Sequence, residues 1–290
     1  MEKTEITRVL ANYHTHSTFC DGKNSLKDIA KAAYEKGFQY LGFSSHSAFP
    51  VASDCELHYE DFSKYRAEIQ SLKTEYQDKM EILYGYEADF LPPVSFPDYS
   101  FYEDHNPDYL IGSVHYIFNH DRPENGTLTV DNSPEIVQKG IDKVFGGDKK
   151  KMVQTYFVHQ REMLKTCDFD IIGHIDLVRR RNGKLNIFSE NDSWYKKELL
   201  ATAKEIAKAG VVVEINTGGM ARKDTTSPYP SVDFLKILQK LDVPILFSSD
   251  AHSIENLQFG FDIATAHAKS AGYKERCYLT LEGWKTIPLN

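Results

Sequence analysis

Short runs of β-favouring apolar residues alternate along this chain with stretches of helical periodicity, the pattern of parallel strands joined by crossover helices. The first run covers residues 9–16. A helix follows, opened by Ser25 with Asp28 at the capping-box position and closed at Gly37. A strand at 40–46, a helix at 61–76 and strands at 81–90 and 109–117 come next. The polar stretch 119–148 contains glycines and breaks the rhythm, so it is expected to pass over one face of the fold. The alternation then resumes with a helix at 153–165, a strand at 170–178, a helix at 193–209, a strand at 211–216, a helix at 232–241 and a strand at 244–249. Seven strands without an internal repeat, low-complexity run or linker predict one α/β domain over residues 1–290, a closed or nearly closed β/α barrel. An open doubly wound sheet is the alternative, but no glycine-rich phosphate loop follows the first strand.

Composition changes this picture little. The 290 residues are 41% hydrophobic and 26% charged, as in an ordinary globular protein with a sizeable core. The net charge of -8 argues against a nucleic-acid partner held on a broad basic face, so any phosphate chemistry requires local positive charge. The chain opens without a basic region followed by an apolar core, and no stretch is apolar for the thickness of a bilayer, which predicts a cytoplasmic protein with no membrane partner. Cys20, Cys55, Cys167 and Cys277 lie far apart, which suggests neither a disulfide framework nor a thiolate zinc site.

What sharpens the reading is where ionisable residues fall. His14 and His16 end the first strand, His46 the second, Glu87 the third, His115 the fourth and His174 the fifth, while Asp250 and His252 end the seventh. In a parallel barrel all strand C-termini open on one face, so these residues converge although they span the chain. A single histidine at a strand end is more often a hydrogen-bonded structural residue. Six of eleven histidines at such ends, on strands otherwise filled with Leu, Ile, Val, Phe and Gly, is a pattern that chance explains poorly. Uncompensated polar burial on that scale would cost several kcal/mol per group, on the order of magnitude that metal coordination removes. His58, His105, His120, His159 and His267 fall in loops or helices, where a structural or solvated role is favoured.

Imidazole mixed with carboxylate suits zinc, manganese or iron, and the lack of thiolate points to a catalytic rather than a structural site. A bridging carboxylate such as Glu87 can hold two ions at the spacing where a shared water becomes a nucleophile near neutral pH, which suits phosphate ester hydrolysis. With three ions and the three carboxylates Asp21, Glu87 and Asp250, the site keeps net positive charge, so an acidic protein still attracts a phosphate dianion.

The residues resemble the polymerase and histidinol phosphatase (PHP) superfamily, and within it the stand-alone histidinol-phosphate phosphatases. The resemblance rests on Asn12-Tyr13-His14-Thr15-His16-Ser17 with Cys20-Asp21-Gly22, on Gly42-Phe43-Ser44-Ser45-His46-Ser47, on Gly85-Tyr86-Glu87 and on Gly112-Ser113-Val114-His115. It continues through Ile172-Gly173-His174-Ile175-Asp176-Leu177, Glu214-Ile215-Asn216-Thr217 and Ser248-Ser249-Asp250-Ala251-His252, and so covers nearly the whole chain. It implies a distorted (β/α)7 barrel of the PHP type with up to three divalent ions, Zn, Mn or Fe. His14, His16, Glu87 and Asp250 would hold the first ion, Glu87, His115 and His174 the second, and Asp21, His46 and His252 the third. Asp21 departs from the broader family, in which a histidine often sits near this point.

The reaction so implied is hydrolysis of L-histidinol phosphate in histidine biosynthesis, by a hydroxide that bridges two ions and attacks phosphorus in line, with Glu87, Asp250 and His252 at the reacting centre. By its position after Asn216, Arg222 is the candidate phosphate clamp. Arg161 is a second candidate from the resemblance. Arg179-Arg180-Arg181 reads as a solvated basic cluster able to approach substrate. Asp176 shares the face of His174 and is expected to orient a ligand, to contact the substrate's amine or to serve as structural support. Competing readings keep the metals but take nucleotides, oligonucleotides or phosphotyrosine as substrate, or treat the chain as a vestigial metal-binding module. Amide or lactone hydrolysis would call for a metal-bridging lysine after a strand, which is not found. Oligomeric state is not legible in the sequence.

Overall fold

The computed structural model describes residues 9–48 and 55–289. Seven parallel strands form one sheet in chain order: β1 (Ala11–Asn12), β2 (Tyr40–His46), β3 (Glu81–Asp89), β4 (Tyr109–Ser113), β7 (Ile171–Ile172), β8 (Val212–Asn216) and β9 (Ile245–Ser248). Between β4 and β7 the chain adds the antiparallel pair β5 (Tyr116–Phe118) and β6 (Thr127–Thr129), and it ends in the hairpin β10 (Glu275–Thr280) and β11 (Gly283–Pro288). The helices are α1 (Leu26–Glu35), α2 (Phe62–Glu75), α3 (Pro134–Phe145), α4 (Lys149–Thr166), α5 (Asn182–Leu185), α6 (Ser193–Ala209), α7 (Gly218–Ala221), α8 (Val232–Gln239) and α9 (Phe261–Ser270). Beyond β1 and β9 the sheet curls into contact with itself through a parallel bridge between Thr15 and Ala251: His16 N–H donates to the Ala251 carbonyl at 2.9 Å and Ala251 N–H to the His14 carbonyl at 3.1 Å. The result is a nearly closed barrel of seven parallel strands with helices outside, a distorted (β/α)7 barrel.

The crossover helices form for the reasons the sequence suggests. Ser25 caps α1, accepting from Asp28 N–H at 3.2 Å, and Leu26, Ile29, Ala30 and Ala33 bury one face against the sheet. Leu26 and Ile29 each contribute roughly 1.5–3 kcal/mol of transfer energy by that burial. Inside the barrel, Tyr13, Leu83, Tyr109, Ile111, Ile171, Val212 and Leu246 pack together with Cys277, Leu279 and Ile287 of the terminal hairpin. That hairpin plugs the end where the strands begin: Leu281 N–H donates to Glu81 at the start of β3, and Tyr13 Oη donates to the Leu279 carbonyl at 2.7 Å. Gly85 makes room for the central Tyr109 ring, since a Cβ there would stand 2.6 Å from it. The opposite end, where the strands finish, is left to polar residues.

Several boundaries differ from the sequence reading, each for a local reason. The strand expected at 109–117 stops at Ser113, opposite Asp89 at the end of β3; past that point β3 offers no further partner, and His115 N–H donates instead to Asp89 Oδ1. Only Ile171–Ile172 of the stretch 170–178 pair in the ladder, and Leu177–Arg179 coil into a 3₁₀ turn. Residues 119–148 are more ordered than expected, holding β6 and the amphipathic α3, which buries Val137, Ile141, Val144 and Phe145 between its Ser133 cap and the left-handed Gly146. Asp148 caps α4 four residues earlier than the helix expected from 153. Helix α9 and the plug hairpin were not anticipated. No helix among the described residues is long and apolar enough to cross a membrane.

Candidate metal centre

The polar end of the barrel gathers all the histidines and carboxylates expected there. Glu87, near the end of β3, is 1% exposed and lies among five imidazoles. Its Oε2 is 3.0 Å from His14 Nε2, 3.1 Å from His46 Nδ1 and 3.5 Å from His16 Nε2; its Oε1 is 3.0 Å from His174 Nε2 and 3.6 Å from His115 Nε2. Asp250 Oδ1 lies 3.4 Å from His16 Nε2 and 3.8 Å from His14 Nε2. Asp21, on the loop after the first strand, meets His252 Nε2 at 3.1 Å, His16 Nδ1 at 3.6 Å and His46 Nε2 at 3.9 Å. His46 therefore stands between Glu87 and Asp21, one ring nitrogen turned to each.

Backbone geometry explains the convergence. His14 and His16 share a side because the chain is extended through Thr15, whose hydroxyl turns the other way and donates to the Gly42 carbonyl at 2.6 Å. Asp250 and His252, also two residues apart, come together without an extended strand. β9 ends at Ser248, and Asp250 has φ 49°, a left-handed conformation that aspartate tolerates better than most residues.

A second layer orients the rings. His14 Nδ1–H donates to Glu214 Oε2 at 2.9 Å, which turns Nε2 inward, and His115 Nδ1–H donates to Asp89 Oδ1 at 2.8 Å with the same effect. Glu214 also accepts the His174 backbone N–H at 2.7 Å and Asn216 Nδ2 at 2.8 Å. Neither Asp89 nor Glu214 was singled out from sequence as a site residue. The signal was present, since Asp89 lies two residues beyond Glu87 on the same strand face, and Glu214 opens the β8 motif.

Electrostatics and hydrogen bonding both suit cations. Burial opposes ionisation of Glu87, yet His14, His46 and His115 outweigh it and hold the carboxyl well below its ordinary range; Asp250 is held low in the same way by Arg222, His14 and His16 against burial. Burial also opposes a charged His14, but Glu214, Glu87 and Asp250 push it well above the usual histidine value. His16 goes the other way, to about 3, through burial and the neighbouring His252 and His46. Despite this crowding, the buried His14 Nε2, His16 Nε2, His174 Nδ1 and Asp21 Oδ1 have no hydrogen-bond partner. Buried polar atoms without partners are costly, and divalent ions satisfy those of His14, His16 and Asp21 that face the cluster; His174 turns its other nitrogen, Nε2, to Glu87. Four overlapping sets have ligand atoms within 4.8 Å of one another: His16, Asp21, His46 and His252; His14, His16 and Asp250; His14, Glu87 and His174; and His46, Glu87 and His115.

The cluster floors a cavity of about 390 Å³. Arg222 borders it and donates through Nη2 to Asp250 Oδ2 at 2.6 Å. Arg180 also lines it, braced by Asp224 at 2.8 Å and Asp131 at 2.7 Å, so this member of the basic run is not simply solvated. Thr129, Asp131 and Asn132 bring the 119–148 segment to the rim beside Glu56 and Tyr116. Arg161 lies elsewhere: on α4 it donates to Glu198 at 2.9 Å and Thr202 at 3.0 Å, away from the cavity lining. Asp176 is wholly buried outside the cavity lining, accepting from Ser231 N–H at 2.8 Å with Arg179 3.6 Å away. Burial raises its carboxyl to about 6 against the pull of Arg179. Its place is that of structural support.

A seven-stranded parallel barrel with histidines and carboxylates converging at its strand ends is the framework of a metal-dependent hydrolase. The chain belongs to the PHP domain family, whose model matches residues 12–218. It is 26% identical over 289 residues to a probable histidinol-phosphatase of Schizosaccharomyces pombe, covering 92% of this chain and 88% of the relative. It is 28% identical over 270 residues to a probable histidinol-phosphatase of Deinococcus radiodurans, covering 91% and 94%. Among solved structures it resembles a histidinol phosphate phosphatase from Lactococcus lactis, complexed with zinc, L-histidinol and phosphate, with TM-score 0.69 and 20% identity over 95% of this chain and 98% of that one.

Proposed function

We propose that this chain hydrolyses L-histidinol phosphate to L-histidinol and phosphate, as a cytoplasmic enzyme of histidine biosynthesis. The observation that carries the reading is Glu87, with five imidazoles within 3.6 Å, on the floor of a cavity bordered by Arg222 and Arg180. Relatives named for this activity, aligned over nine-tenths of the chain, support it.

In this reading His14, His16, Glu87 and Asp250 hold one divalent ion, Glu87 with His115 and His174 a second, and Asp21 with His46 and His252 a third. The ions, when bound, supply an activated water and neutralise charge on the phosphoryl oxygens. The protein contributes placement. Glu214 and Asp89 fix the rings of His14 and His115 so that little reorganisation accompanies binding. Arg222, fixed by Asp250, presents its guanidinium to the phosphoryl group, and Arg180 provides a second positive charge on the same rim. Glu87, Asp250 and His252 set the position of the attacking water. Glu56, buried and with one carboxylate oxygen lacking a hydrogen-bond partner, offers the rim a negative group suited to a cationic substrate amine or imidazolium.

Chelation tests the reading. Protein stripped of metal, with the removal verified by elemental analysis, is expected to lose phosphate release from L-histidinol phosphate and to regain it on addition of Zn, Mn or Fe ions singly. Full turnover by verified metal-free protein overturns it.

A further inference from the structure

A second cluster of ligating side chains lies away from the barrel mouth, where β5 meets α4. His159 and Glu162 are three residues apart on α4 and so share a face, and His120, from the turn after β5, is laid over them. The His159 ring is fully buried, with Phe118 edge-on at a centroid distance of 4.8 Å. Its Nδ1–H donates to the Thr155 carbonyl at 3.0 Å, which sets the tautomer and leaves Nε2 with a bare lone pair. That Nε2 is buried and has no hydrogen-bond partner.

The other two groups face the same space. The His120 ring is 4.9 Å from the His159 ring, and His120 Nε2 stands 3.6 Å from Glu162 Oε2, too long for a hydrogen bond. Ligands on a tetrahedral ion at about 2.0–2.1 Å from each nitrogen or oxygen stand roughly 3.4 Å apart. One ligand atom from each of the three residues lies within 4.8 Å of the others, and the half-exposed side chains of His120 and Glu162 are free to close the remaining gap. A neutral buried imidazole, a second imidazole and a carboxylate form a donor set suited to zinc or a similar first-row divalent ion. None of the three residues lines the catalytic cavity.

We propose that His120, His159 and Glu162 bind one divalent ion of the zinc class, separate from the barrel centre, and that this ion clamps the β5–β6 hairpin onto α4. The clamp bears on the active site because the hairpin carries cavity residues: Tyr116 on β5, and Thr129 with the following Asp131 and Asn132 on and after β6. An ion at His120 thus fixes one wall of the cavity from behind.

The test compares metal-loaded wild type with His120→Ala and Glu162→Gln, both at half-exposed positions that the core tolerates. All three carry the same barrel centre, so the difference between them does not depend on how many ions that centre holds. Equilibrium dialysis against low-micromolar Zn ions, with bound metal counted by elemental analysis, is expected to give one equivalent fewer in His120→Ala and at least tenfold weaker retention of that equivalent in Glu162→Gln. Hydrogen exchange of the backbone amides of 116–130 is expected to slow on zinc addition in wild type and not in His120→Ala. Equal metal counts overturn the site. An extra equivalent bound without slower exchange overturns the clamp.

Discussion

His14 and Glu214 face each other wholly buried, Nδ1 to Oε2 at 2.9 Å, and that contact aims the opposite ring nitrogen of His14 at Glu87. Glu214→Gln keeps a hydrogen-bond acceptor but removes the charge that makes the ring a strong donor to a cation. Metal affinity at the barrel centre is expected to fall about 10- to 100-fold, measured by competition with a chromophoric chelator. Unchanged affinity would mean that Glu214 supports only the fold.

Arg222 touches Asp250 and borders the cavity, so a structural and a phosphate-binding role must be separated. Loss of hydrogen bonds to a charged group is worth about 1.5–3 kcal/mol, or on the order of 10- to 100-fold in kcat/KM for Arg222→Ala. Arg222→Lys should recover part of this, as it retains charge but not the fork. The deciding readout is competitive inhibition by inorganic phosphate, which should weaken in parallel; an unchanged inhibition constant assigns Arg222 to holding Asp250 alone.

Arg161 gives the opposite expectation. It joins α4 to α6 through Glu198, so Arg161→Ala should leave kcat/KM within about twofold and lower stability by about 1 kcal/mol, a few degrees in the melting temperature. A large loss of activity with an unchanged melting temperature would return it to the substrate.

Metal uptake should release protons. In the metal-free chain, carboxylate neighbours outweigh burial and hold His14 and His115 well above the usual histidine range, so both rings are protonated at neutral pH and must deprotonate to bind an ion. His16, held to about 3, is already neutral and contributes none. The sign follows: apparent affinity climbs as pH rises toward the raised values and levels off above them. Calorimetric titration at pH 7 in buffers of different ionisation enthalpy should report net proton release; no release at that pH contradicts the charge balance described for the centre.

Much of this is legible in the sequence alone. The seven strands are, because parallel strands buried on both faces read as dense apolar runs. The placement of His14, His46, Glu87, His115, His174 and His252 is too, because a polar residue ending such a run has nowhere to point but the open end. What escaped was structure with a weaker local signature. Helix α3 hides in a polar segment with four glycines, of which Gly126, Gly146 and Gly147 mark turns around it while Gly140 sits within it against Leu128. The bend at Asp250 depends on a left-handed residue that alternation cannot foresee. Arg180 reads as one of three exposed arginines until Asp131 and Asp224, far from it in sequence, are seen to hold it at the cavity.

The most direct test of the account is phosphate release from L-histidinol phosphate beside nucleotides, sugar phosphates and phosphotyrosine, with metal content measured on the same sample. The account expects L-histidinol phosphate to be preferred by orders of magnitude in kcat/KM, with turnover nearly abolished in a folded Glu87→Ala variant. Equal or better turnover of another ester, or full activity in Glu87→Ala at the wild-type metal content, would contradict it.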